Sequence, residues 1–72
     1  MTTQRIIWVS PLAGGWAVFC AGLEPIVFRS GARAEAQAKR LAACLAKLGR
    51  AVQVRILDRS RTLVGAQMFP AT

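Results

Sequence analysis

The chain has no histidine and no tyrosine, and among its 72 residues there are only two cysteines and three carboxylate side chains. Each shortage removes a class of chemistry. With no histidine, and with Cys20 and Cys44 far apart and in no CxxC spacing, a zinc site cannot be assembled. Both cysteines read as small core hydrophobes, Cys20 on a strand and Cys44 at the margin of a helix stripe. The acids are Glu24, Glu35 and Asp58, the first in a turn and the second on a helix flank, and Ser10 and Ser60 have no partner, so no nucleophile has a base beside it. Gly14-Gly15 leads into a strand and lacks the lysine and following helix of a phosphate loop. The expectation is a protein that is not an enzyme, with no cofactor, no metal and no evident small-molecule substrate.

Long apolar runs are missing as well. None approaches the ~20 residues that a membrane-spanning helix needs. The start of the chain places Arg5 ahead of an apolar stretch ending in Val18-Phe19-Cys20-Ala21, the outline of a secretory or lipoprotein leader. Pro11, two adjacent glycines, two tryptophans and the bulky Phe19 before the cysteine argue against that outline, and cleavage would leave too little chain to cover a helix. The region is read as folded structure and the protein as cytoplasmic, with no membrane partner.

What is present in excess is positive charge. Ten lysines and arginines set against three acids give a net +7. Residues 1–28 balance Arg5 against Glu24, whereas residues 29–61 carry nine bases against two acids, so the whole excess lies from the helix onward. A basic balance of this kind favours an acidic partner, with nucleic acid first.

The helix is the element hardest to mistake. Between Ser30 and Gly49, Ala34, Ala38, Leu41, Ala42, Leu45 and Leu48 recur at spacings of three and four, one apolar stripe at about 100° per residue. No proline or β-branched residue interrupts it, Ser30 is a natural N-cap and Gly49 a natural C′ residue. Around it lie strand patterns. Arg5 to Val9 is β-branched and aromatic and stops at Ser10-Pro11, Trp16 to Ala21 follows the glycines, and Ile26 to Arg29 follows Pro25. After the helix, Ala51 to Ile56 alternates, Asp58-Arg59-Ser60-Arg61 is a polar turn, and Thr62 to Phe69 is the last strand. The expected fold is α+β, one domain over residues 1–72, a small antiparallel sheet with the helix packed on one face, in the order β-β-β-α-β-β.

One helix covers one face of a sheet, yet the first two strands carry large apolar groups on both. Ile6 and Trp8 oppose Ile7 and Val9, and Trp16 and Val18 oppose Phe19. The uncovered set points to a homodimer that shares sheet faces or exchanges a hairpin. A stacking platform for single-stranded nucleic acid, with Phe19 or a tryptophan beside Gln53 and Arg55, is the competing reading. Packing or dimer contact is the commoner use of such residues and takes precedence.

Gly14-Gly15-Trp16-Ala17-Val18, Phe28-Arg29-Ser30, Ala34, Ala38 and Leu41-Ala42, then Val52-Gln53-Val54 and the Asp58 turn carry a resemblance. They are similar to a family of small bacterial proteins known as a domain of unknown function, which shares a Gly-Gly-Trp-x-Val strand, an alanine-rich helix and a C-terminal hairpin. The resemblance covers most of the chain and implies the same fold without implying an activity. The chain departs from it at Asp58-Arg59, where aspartate-glycine is usual, and lacks the usual polar or histidine-bearing first strand.

Two partners follow. The first is a second copy of the chain. The second is DNA or RNA, met without sequence preference by a ridge of Arg33, Arg40 and Lys47, seven apart along the helix, joined by Arg29, Arg55, Arg59 and Arg61 from neighbouring positions. The alternative is a purely structural or protein–protein interaction module with no nucleic-acid role, whose basic residues serve solubility alone.

Overall fold

The computed structural model describes residues 5–72; residues 1–4, which open the stretch weighed as a leader, lie outside them. The uninterrupted alanine-rich segment forms the helix α1 (Gly31–Lys47). Ser30 is its N-cap, and the Ser30 side chain accepts a hydrogen bond from the Arg33 N–H at 3.4 Å, so one orphan donor of the first turn is engaged. At the other end Gly49 adopts φ +88°, the Gly49 N–H donates to Ala46 O and the Arg50 N–H to Leu45 O. That pair of bonds is a Schellman motif, and a left-handed C′ residue makes it. Thr72 donates to the same Ala46 carbonyl through its N–H and its hydroxyl, which ties the chain end to the helix end.

The helix lies on a five-stranded sheet made of β1 (Arg5–Leu12), β2 (Gly15–Cys20), β3 (Ile26–Phe28), β4 (Val52–Leu57) and β5 (Leu63–Phe69), ordered β3-β2-β1-β4-β5. The α+β class and the order of elements are as expected. The sheet is not simply antiparallel, however: β1 and β4, neighbours within it, run parallel, with Ile7 opposite Val54 and Val9 opposite Ile56. Short loops do close antiparallel hairpins, β1 with β2, β2 with β3 and β4 with β5. The connection from β3 to β4 is instead the whole helix, and a crossover of that length is what a parallel neighbour requires.

Two further differences are local. β1 does not stop at Ser10 but continues through Pro11 to Leu12, leaving Ala13 and Gly14 as the hairpin loop, with Gly14 at φ +77°. Pairing with β4 ends at Val9, so Pro11 lies where β1 has a neighbour on one side only, the position at which a missing N–H is tolerated. The buried line of the helix is Ala34, Ala38, Ala42 and Ala46; Leu41 and Leu45 pack against the core half-buried from its side, and Leu48, the C-cap, is 71% exposed. Cys20 is buried as expected, whereas Cys44 is exposed, two residues past Ala42 and thus about 200° around the helix.

Alternation assigns the faces. Ile7, Val9, Val18, Cys20, Val52 and Val54 meet the alanines, with Trp16, Phe28, Ile56 and Phe69 closing the margin of this core. The small helix residues allow close approach, and the β-branched strand residues fill the space, each contributing roughly 1.5–3 kcal/mol on burial. Among the described residues no element covers the other face.

Candidate functional site

Cross-strand register builds the uncovered face row by row. Phe19 on β2 is opposite Trp8 on β1, which is opposite Arg55 on β4, which is opposite Ala66 on β5. Ile6, Gln53 and Met68 form the next row, and Ser10 and Ala17 lie on the far side of Trp8. The Arg55 guanidinium sits over the Trp8 ring at 5.2 Å from its centroid, and Arg55 Nε donates to Gln53 Oε1 at 2.8 Å. That hydrogen bond fixes the guanidinium against the ring, so the pair is a preset aromatic and cationic surface. Ser10 and Ala17 are buried although, among the described residues, no helix lies on this side.

Trp8 and Phe19 also stand between two open recesses. One, about 650 Å³, is lined by Arg5, Ile6, Trp8, Phe19, Ala21, Gly22 and Arg50. The other, about 330 Å³, is lined by Trp8, Ser10, Phe19 and Leu57. Among the described residues no carboxylate lines either recess. The Arg5 guanidinium is held at the rim of the larger one by donation from Nη1 to Ala21 O at 3.2 Å.

The seven basic residues singled out from the sequence do not share one surface. Arg33 and Arg40 do meet, in a groove of about 260 Å³ beside Phe28, Ala36 and Gln37, between the helix flank and β3. Arg29 is exposed at the end of β3 and Lys47 is exposed in the last helical turn. Arg55 is on the opposite face of the sheet, over Trp8. Arg59 and Arg61 belong to the β4–β5 turn, and Arg59 is engaged within the fold: its Nη1 donates to Leu12 O at 2.8 Å and its guanidinium stacks over Trp16 at 4.8 Å from the ring centroid. Trp16 packs on its other neighbour Gly31, where an added Cβ would come within 3.0 Å of the ring, so this tryptophan closes the end of the core. Arg5 and Arg50 were missed as members of a site. Their signal was topological: the N-terminus of β1 and the Arg50-Ala51 segment before β4 come together only once those strands are parallel neighbours, where the Arg5 N–H donates to Ala51 O.

The acids are largely committed elsewhere. Glu35 pairs with Lys39 at 3.0 Å, the only ion pair among the described residues. Asp58 Oδ1 accepts from the Ser60 and Thr62 N–H groups and closes its own turn. Glu24 is exposed in the turn before β3. Among the described residues there is no cluster of acids, cysteines or histidines able to hold a metal ion, and no helix is long and apolar enough to cross a membrane. In comparisons with family models, curated proteins and solved structures, the chain matches none.

Proposed function

We propose that this chain is a small basic interaction module whose ligand is a polyanion, nucleic acid before others, bound without sequence preference. One observation carries the reading: of ten lysine and arginine side chains, all among the described residues, only Lys39 is paired with a carboxylate. A surplus so little neutralised from within attracts a polyanion and releases its counterions on contact. The test is fluorescence anisotropy of a labelled oligonucleotide at about 20 mM and about 200 mM salt, where a protein making several phosphate contacts loses affinity by orders of magnitude. No binding at the lower salt ends the proposal.

A second reading, compatible with the first, is self-association, and the outer edge of β5 favours it. This strand of seven residues, LVGAQMF, holds no charge and no proline, lies at the end of the sheet and exposes Leu63 and Val64. Long uncharged edges are templates for pairing with another strand. Face-to-face contact of two open sheets would instead bring two surfaces carrying Arg5, Arg50 and Arg55 together, with no acid lining the recesses to neutralise them. Edge pairing of this kind strengthens with added salt, as screening relieves repulsion between two chains of +7. Light scattering across a salt series checks the sign, and L63K/V64K is expected to be monomeric throughout. A monomer at every concentration and salt removes this reading.

A further inference from the structure

We infer that the ligand of the open sheet face is a single-stranded nucleic acid, with one base in each recess beside the Trp8–Phe19 wall and its phosphates met by Arg5, Arg50 and Arg55. The inference rests on the polyanion reading and goes beyond it by naming the strand form and the site.

Three observations converge there. Trp8 and Phe19 are direct cross-strand neighbours on an uncovered face, Trp8 half-buried and Phe19 37% exposed, so ring surface is presented from a rigid sheet at no cost in ordering a loop. Every base has a π-face, and two aromatic side chains that line an open recess on each side offer stacking that is indifferent to sequence. The charged groups nearby are all cations: Arg5 and Arg50 line the larger recess and Arg55 stands over Trp8, while among the described residues no carboxylate lines either recess. Arg5 commits one donor to Ala21 O and keeps others for a phosphate, since a guanidinium carries five N–H groups. Arg50 is exposed, and its backbone is fixed by the bond to Leu45 O.

The charge pattern selects among occupants. A second copy of the chain would oppose like charges on this face. A duplex keeps its bases stacked inside, so it reaches the arginines but not the aromatic wall. A single strand supplies both exposed bases and phosphates, and it is the ligand for which the whole face is complementary.

The test compares a labelled oligothymidylate of about twelve nucleotides with a duplex of the same length by anisotropy at low salt, and follows tryptophan quenching by the single strand. The single strand is expected to bind roughly tenfold or more tighter, and W8L and F19L each to weaken it roughly ten- to hundredfold, the range of one lost base stack. R50Q is expected to reduce the salt slope by about 0.7, the value of one single-strand phosphate contact. Circular dichroism verifies folding; should W8L fail to fold, F19L and R50Q, at exposed positions, decide the question.

Several outcomes overturn the inference. Equal affinity for the duplex does so, as does a larger loss in R33Q/R40Q than in F19L, which moves the site to the helix flank and leaves the polyanion reading standing. Tighter binding to phosphatidylserine vesicles than to the oligonucleotide at equal phosphate also overturns it. No binding to any of the three at low salt ends both readings together.

Discussion

The two faces of the sheet are built from adjacent residues of the same strands and obey different rules. On the covered face, Ile7, Val9, Val52 and Val54 are essentially inaccessible and meet four alanines of the helix, a surface of aliphatic groups with no polar atom to satisfy. On the open face Trp8, Phe19 and Arg55 share one row, Ile6, Gln53 and Met68 form the next, and Arg5 and Arg50 line the recess beside Trp8 and Phe19. The difference is chemical as well as positional. Aliphatic groups gain from burial alone, whereas aromatic and guanidinium groups keep directional interactions to offer at a surface. One face therefore holds the fold together, and the other is equipped to meet something outside it.

The largest expected effect tests that division at two neighbouring positions. Val54→Asp places an unpaired carboxylate on the fully buried side of β4, against Ile7 and the alanines, and costs several kcal/mol, comparable to the whole stability of a domain this size. The variant should be unfolded by circular dichroism at 25 °C. Arg55→Asp, one residue on and facing the other way, should remain folded, with a stability change of no more than about 1 kcal/mol from the lost stack on Trp8. If both unfold, or neither does, the faces are wrongly assigned.

Next in size is Gly15→Ala. Gly15 is buried opposite Leu12, and an added Cβ would come within 2.7 Å of the backbone oxygen of Phe28, a contact that only separation of β2 from β3 relieves. Overpacking of this kind typically costs about 1–3 kcal/mol. Urea denaturation should show a lower midpoint with an unchanged slope. β3 has only three residues in the sheet, so the substitution asks whether the covered core needs its shortest strand. An unchanged midpoint would mean that it does not.

Much of this was legible in the chain, and the exceptions have physical causes. Helix limits follow from local chemistry, so Ser30 and Gly49 mark them in the sequence as they do in the fold. The class and order of elements follow from periodicity and short loops. The parallel β1–β4 pair was not legible, because the neighbour of a strand after a crossover is chosen by packing across the sheet and not by the adjoining turn. Leu48 matched the helix period, yet it falls on the cap, beyond the last turn that touches the sheet. The basic residues could be counted but not placed. Seven-residue spacing does bring Arg33 and Arg40 into one groove, while Arg55 alternates to the far face and Arg5 and Arg50 meet only through the parallel register.

The smallest expected effect sharpens the comparison most, because it sets one arginine–tryptophan contact against another. Arg59 stacks on Trp16 and donates to Leu12 O, tying the β4–β5 turn to the first hairpin, and Trp16 itself is wedged against Gly31. Trp16 belongs to the margin of the covered core, away from the open face, so Arg59 serves the fold. Arg59→Gln should cost about 0.5–1 kcal/mol, the range for an exposed cation–π contact. In a domain of this length the melting temperature then falls by about 2–8 °C. Nucleic-acid affinity should change by no more than the loss of one distant charge. Arg55→Gln should show the reverse order of effects, with a melting shift no larger than that of Arg59→Gln and a loss in affinity of roughly fivefold or more, as one phosphate or stacking contact disappears. Calorimetry and anisotropy on the two variants separate them, and matching profiles would mean that the two faces do not divide stability from binding as their side chains suggest.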